Sequence, residues 1–266
     1  MQKYWHVIKI GFANTLVYRF NFFFRAVFGL VPLLATIYLW RAVYHGQNKD
    51  VGGYGLAGMI SYYLIITIVD TLTAVAEDDW QIAADIKDGN ISQFMLKPIN
   101  YLGYRLCLFF SGRIMFASIS ILPVGMFIYW WRQYFVGPDS GAALGMFLIS
   151  TVMTGLLQFF ISFTLALLSF WLLEVSTIIF MFFAVEYIAG GHLFPLNILP
   201  AAVARFLDYT PFPYQLYFPA GIYLGQIKGA ALARGMLIQT GWVLFFYGLS
   251  VVIWRRGIRK YSAAGG

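Results

Sequence analysis

Six stretches of the chain, 22–44, 54–75, 106–131, 142–173, 175–191 and 232–254, are apolar and carry at most two charged residues each. A helix crosses a bilayer with about 20 consecutive apolar residues, so each stretch reads as a membrane span. The fourth is longer than one crossing requires, which predicts tilt or projection. The fifth is short and ends at Gly190-Gly191. Composition leads to the same solvent: 61% of residues are hydrophobic, 11% are charged, and mean hydropathy is +0.73. A soluble domain carries about 25% charged residues. This chain has too few to cover an ordinary aqueous surface. An ordinary soluble enzyme, a disordered tail and a nucleic-acid-binding domain are therefore excluded. The predicted fold class is all-α: one transmembrane domain over 1–266 with six transmembrane helices.

Net charge is +7, and the basic residues flank the apolar runs. With the N-terminus inside, the inner segments hold twelve of the 18 Lys and Arg. The positive-inside bias then puts both termini in the cytoplasm. No small-residue cleavage site follows the N-terminal region, so no cleaved signal peptide is expected. Before the first span, Trp5, Ile8, Phe12, Leu16 and Phe20 recur at helical spacing among Lys3, His6 and Lys9. This predicts an amphipathic helix over 1–21 in the inner interface, where Lys9, Asn14 and Arg19 avoid hydrocarbon. A plain extension of the first span is the alternative.

Several chemistries lack their residues. None of the seven lysines follows a glycine, so no phosphate-binding Walker loop exists. His6, His45 and His192 fall in separate segments, and Cys107 is the single cysteine, so no metal or redox site is predicted. No Gly-x-Ser-x-Gly elbow is present. Asp70 and Glu186 lie within spans, where carboxylates face a bundle interior or an aqueous cavity. They read as a substrate or proton path, or as structural contacts. Arg25 reads as a lipid-phosphate anchor.

Two segments outside the spans carry more information. Over 76–105, the acidic Glu77-Asp78-Asp79 stops the membrane helix, and helical character resumes to about Lys87. Asp88-Gly89-Asn90 breaks it, Asn90 is placed to cap a short helix over 91–96, and Pro98 ends that helix. Ile91, Phe94 and Met95 are expected exposed there, ready for the bilayer or a groove on a partner. The external segment 192–231 is mostly apolar but cut by Pro195, Pro200, Pro211, Pro213 and Pro219. Its pieces, with short helices at 201–209 and 218–224, are too short to span. They read as dipping, re-entrant elements: an external gate lined by Phe194, Phe212, Tyr214 and Tyr217, or a surface cap.

Asp85-Ile86-x-x-Gly89-x-Ile91-x-x-x-x-Leu96-Lys97-Pro98 resembles the coupling segment of permeases of the type-2 ABC exporter class (the ABC-2 type transporter family). Gly190-Gly191-x-x-Phe194-Pro195-Leu196-x-x-Leu199-Pro200, then Thr210-Pro211-Phe212-x-Tyr214, Pro219 and Gly225, is similar to that family's external re-entrant hairpin. The resemblance implies an ATPase-coupling site at Asp85, Ile86, Gly89, Ile91, Phe94, Leu96, Lys97 and Pro98. It also implies an external gate at Gly190, Gly191, Phe194, Pro195, Pro211, Phe212 and Tyr214. ABC ATPase subunits carrying ATP and Mg are the expected partners, with no cofactor on this chain and no enzymatic activity of its own. A second permease chain, identical or related, is expected along a seam of spans one and five. The setting implied is a prokaryotic cytoplasmic (inner) membrane, its lipid a further contact. The activity implied is export of an amphipathic, lipidic or drug-like cargo. Two other readings stay open from the residues: a proton-coupled secondary transporter using Asp70 and Glu186, and an intramembrane lipid-processing enzyme.

Overall fold

The structure, a computed structural model, describes residues 2–45, 50–75, 78–96 and 98–261, excepting the side chains of Asp78, Asp79 and Met95. Glu77 and Lys97 therefore lie outside the described residues. The chain is all-helical, and among the described residues the only strand-like pairing is an isolated bridge between Val51 and Tyr54.

Helix α1 (Gln2–Val17) is followed after Tyr18 by α2 (Arg19–Tyr44), α3 (Leu56–Thr73), α4 (Asp78–Lys87), α5 (Ile91–Met95) and α6 (Tyr101–Trp130). Then come α7 (Gly141–Ala166), α8 (Ser176–Ala189), α9 (Ala201–Leu207), α10 (Tyr217–Tyr223) and α11 (Gly229–Lys260). Among the described residues, five helices are long and apolar enough to cross a membrane: α2, α3, α6, α11, and α7 with its continuation to Phe170. The remaining apolar run forms α8, with 14 residues. At 1.5 Å per residue it reaches about 21 Å, short of the ~30 Å hydrocarbon core. Phe24, Phe28, Ile121, Met126, Phe180 and Phe245 are exposed. An apolar exterior of this kind suits lipid.

Polar side chains cap the starts of two of the long helices, α6 and α7. Asn100 Oδ1 accepts from the Gly103 amide (3.0 Å) at the start of α6, and Ser140 Oγ accepts from the Ala143 amide (3.1 Å) at the start of α7. The α6 cap starts that helix earlier than apolarity alone placed it. Helix α1 packs along the first half of α6. A Cβ on Gly11 would lie 2.0 Å from Ser111 Oγ, so the α1 backbone packs directly on the Ser111 side chain of α6.

Helix α3 is the centre of the bundle. Met59, Ile60, Tyr62, Leu64, Ile65 and Val69 are all buried, enclosed by α2, α6, α7 and α10. A second core holds Ile82, Ile86, Ile91, Tyr101, Phe109, Phe159, Phe163 and Leu167. It gathers α4, α5, the start of α6 and the end of α7, and the Tyr101 and Trp254 rings stack there at 5.0 Å. Lys3 donates to the Pro98 carbonyl at this same end. The N-terminal helix, the α4–α5 segment and the end of α11 thus share one end of the molecule. The opposite end collects the segment after α6 and residues 191–228: Lys228 pairs with Asp139 at 2.8 Å, and the Asp139 amide donates to the Tyr223 carbonyl.

Two local expectations are corrected. Ile91 is fully buried rather than exposed. The turn at Gly89, φ 79°, folds α5 back under α6, where Ile91 joins Ile82 and Tyr101. Asn90 makes no side-chain cap; instead Ser92 Oγ donates to the Gly89 carbonyl at 2.7 Å.

Candidate functional site

The α4–α5 end is built around one cation. Arg105 of α6 is paired with Asp85 of α4. Its Nε donates to Tyr101 Oη (3.0 Å) and its Nη1 to Gln81 Oε1 (3.1 Å). Tyr101 Oη in turn donates to Asp85 Oδ2 at 2.7 Å. Four side chains from two helices close a network that shields a buried guanidinium. Apolar contacts carry α4 to the rest of the bundle. Ile82 and Ile86 pack in the core with Phe159, Phe163 and Leu167, and Ala83 packs on Val175 and Ile179 at the start of α8. The segment is therefore fastened to α6, α7 and α8 together.

Of the predicted coupling residues, Asp85, Ile86 and Ile91 face inward. Phe94 is half-buried, its ring 4.9 Å from those of both Tyr101 and Tyr104. Leu96 is 90% exposed, and Pro98 is exposed beside it. Gly89 makes the turn. The set divides into residues that fasten the α4–α5 segment to the bundle and residues that it exposes. Sequence reasoning missed Arg105 and Tyr101 as the holding partners.

The second candidate region is where the segment 190–217 enters the bundle. Helix α8 ends at Gly190-Gly191, which sit beside the middle of α3. Tyr62 Oη donates to the Gly191 carbonyl at 2.7 Å, and Tyr63 Oη donates to the Leu193 carbonyl. A Cβ on Gly191, whose φ is 96°, would lie 2.5 Å from Tyr62 Oη. The chain then climbs along α3, so that Asn197 donates to the Gly52 carbonyl. It returns through Pro211, Phe212 and Tyr214, and the Tyr217 amide donates to the Gly190 carbonyl at 3.1 Å.

This double entry buries irregular backbone, and side chains supply its hydrogen bonds. Gln239 of α11 is fully buried. Its Nε2 reaches the Tyr214 carbonyl (3.0 Å), the Ser150 carbonyl (3.1 Å) and Thr154 Oγ1 (3.2 Å), and its Oε1 accepts from Ser150 Oγ (3.0 Å). Thr154 Oγ1 also donates to the Tyr214 carbonyl at 3.0 Å. Non-helical backbone at membrane depth is tolerated where it is buried in protein or lines a water-filled cavity. At the rim, burial pushes the Asp208 carboxyl above its ordinary range, and Arg234 pulls against that shift.

Gly190, Gly191, Phe212 and Tyr214 come together; the Phe212 ring lies 5.4 Å from Phe182 of α8. Phe194 is half-buried and Pro195 buried on the climbing stretch. Asp70 and Glu186, distant in sequence, converge on His192. Nε2 lies 3.7 Å from Asp70 Oδ1, and Nδ1 lies 3.9 Å from Glu186 Oε1. Neither Nδ1 nor that Oε1 has a hydrogen-bond partner among the described residues. The Tyr187 ring stacks on the imidazole at 4.7 Å. His192 and Gln239 were not singled out from sequence: each is a lone polar residue with no spacing signature.

A search among curated proteins finds no match to the chain. The sequence model of a family described as ABC-2 family transporter protein matches residues 30–265, which takes in most of α2 and every later helix, and with them both regions described above. The chain belongs to the ABC-2 transporter family, as a permease of the ABC-2 type.

Proposed function

We propose that this chain is the membrane-spanning subunit of an ATP-driven exporter and that a separate ABC ATPase, holding ATP and Mg, docks on the α4–α5 segment. The observation that carries this reading is the fastening of α4. Asp85–Arg105 ties it to α6, Ile82 and Ile86 to α7, and Ala83 to the start of α8. A load on the exposed Leu96 and Pro98 is passed to three helices at once. In this reading the α4–α5 end is cytoplasmic, α8 is the sixth membrane element, and the segment 192–231 is a re-entrant gate on the outer side. Helix α1 sits in the inner interface beside α6. A second permease chain packs along α2 and α8, closing the cleft between them over Asp70 and His192. The cargo is amphipathic, and the setting is a prokaryotic inner membrane with both termini in the cytoplasm.

The test is co-purification of the full chain with its ATPase, followed by ATP hydrolysis in lipid. Leu96→Asp, on an exposed side chain, is expected to leave the permease folded and to abolish both association and stimulation. Unchanged association and stimulation would overturn the docking assignment.

The convergence of Asp70 and Glu186 on His192 favours a second reading, proton-coupled transport. It requires transport that survives ATP depletion and fails in Glu186→Gln. ATP-dependent transport by Glu186→Gln at the unmodified rate removes it.

A further inference from the structure

A cleft of about 310 Å³ lies among α2, α3 and α6 and reaches His192. Its α3 wall is made of oxygens that can only accept. Thr67 Oγ1 donates to the Tyr63 carbonyl at 2.8 Å, and Thr71 Oγ1 donates to the Thr67 carbonyl at 2.7 Å. Each hydroxyl has spent its one proton on its own helix and offers the cleft a lone pair. On α2, Thr36 does the same with the Pro32 carbonyl at 2.9 Å. Asp70 lies between the two α3 threonines in sequence, its side chain 47% exposed, and an ionised carboxylate only accepts.

One further group in the lining is unpaired. Ser120 of α6 is 2% exposed, and its Oγ makes no hydrogen bond among the described residues. Ser118, two residues earlier, donates to the Ile114 carbonyl at 2.8 Å. An unmade bond at a buried hydroxyl is costly, and folded proteins keep few of them. Ser120 therefore points to a polar guest. The rest of the lining sets the kind of polar group. Arg25 and Arg113 line the same cleft as Asp70, so both signs of charge are present. A phosphate headgroup would face a carboxylate, and an ammonium would face two guanidiniums. A hydroxyl is neutral and can both donate and accept. Several of them supply donors to the acceptor wall without setting a charge against either sign. Leu30, Leu33 and Val124 add an apolar surface.

We propose that this cleft binds a polyhydroxylated amphiphile, its sugar-like headgroup hydrogen-bonded to Thr67, Asp70, Thr71 and Ser120 and its tail along Leu30, Leu33 and Val124. The proposal rests on reading the chain as a transport subunit and names the chemical class of its cargo. The cleft has the volume of a small-molecule site.

The test uses the full chain in phosphatidylcholine nanodiscs. It is titrated with glucosyl dioleoylglycerol, with dioleoylglycerol (the same tails, no sugar), with dioleoyl phosphatidate and with dioleoyl phosphatidylethanolamine. Bound lipid is counted by native mass spectrometry. The glucolipid is expected to bind about tenfold more tightly than each of the other three. Ser120→Ala, and Thr67→Val with Thr71→Val, are each expected to weaken it about fivefold. Ser118→Ala, on an exposed hydroxyl outside the cleft, is expected to change nothing. Binding of dioleoylglycerol as tight as that of the glucolipid overturns the proposal. So does equal or tighter binding of phosphatidate or phosphatidylethanolamine, which gives the cleft to a charged headgroup. Displacement of the glucolipid by millimolar glucose overturns the amphiphile in favour of a free sugar. Ser120→Ala removes an unpaired buried hydroxyl and is expected to fold as the unmodified chain does by size-exclusion. Retained affinity in Ser120→Ala, or a loss no greater than in Ser118→Ala, overturns the proposal, also where the double threonine variant fails to fold. No ATPase is present in this assay, so a negative result leaves the docking reading standing, and a failed docking test leaves this one standing.

Discussion

Arg105 of α6 grips Asp85 of α4, and the phenol of Tyr101 bonds to both. The side chains are 6% and 19% exposed, so the pair is largely shielded from solvent. Removing one partner leaves the other with a desolvated charge, the costly case for a buried pair. Asp85→Asn is expected to lower stability by about 2–3 kcal/mol, read as a fall in melting temperature. The double variant Asp85→Asn with Arg105→Gln is expected to lose less than the two single losses combined. Additive losses would show that the pair is not a unit.

Ile91 and Leu96 lie five residues apart and should behave oppositely. Ile91 is buried and Leu96 is 90% exposed. Ile91→Asp is expected to destabilise the isolated permease by at least about 3 kcal/mol, because it buries an unpaired carboxylate. Leu96→Asp is expected to shift its melting temperature little. Thermal unfolding of the two variants in detergent checks this, and equal effects would contradict the division into holding and presenting residues.

Gly191 combines φ 96° with a close approach to the Tyr62 hydroxyl. Gly191→Ala is expected to cost about 2–3 kcal/mol from backbone strain and overlap combined. Adding Tyr62→Phe removes the overlap with the hydroxyl but also its hydrogen bond to the Gly191 carbonyl, and leaves the strain, so the double variant should recover at most part of the loss. Full recovery would show that backbone conformation is not at issue.

Gln239→Leu keeps the volume and removes the amide that supports the Tyr214 carbonyl. Leaving that buried carbonyl less satisfied is expected to cost about 1–3 kcal/mol. It should also loosen the segment from Pro211 to Tyr223, read as faster proteolysis or amide exchange confined there. Unchanged protection would mean Thr154 alone suffices.

The long helices were legible because a bilayer demands about 20 apolar residues in a row, and α2, α3, α6, α7 and α11 supply them. The brevity of α8 showed in Gly190-Gly191, and the short helices α9 and α10 showed in the prolines that separate them. Burial of Ile91 was not legible. Five residues of helix carry no periodic record of a buried face, and the deciding contact, with Ile82 and Tyr101, depends on the direction of the Gly89 turn. The meeting of Asp70 with Glu186 through His192 was equally hidden, since it needs α8 to stop beside the middle of α3. Gln239 is a single amide in an apolar helix, and only the returning chain at Tyr214 explains it.

The permease is proposed to be driven through its α4–α5 segment by a separate motor. The most direct measurement reconstitutes the full chain in proteoliposomes with and without its ABC ATPase and follows movement of a labelled amphiphile on ATP addition. Movement only with the ATPase and ATP, lost in Leu96→Asp, is the predicted result. Full movement by the chain alone, without nucleotide, would contradict it.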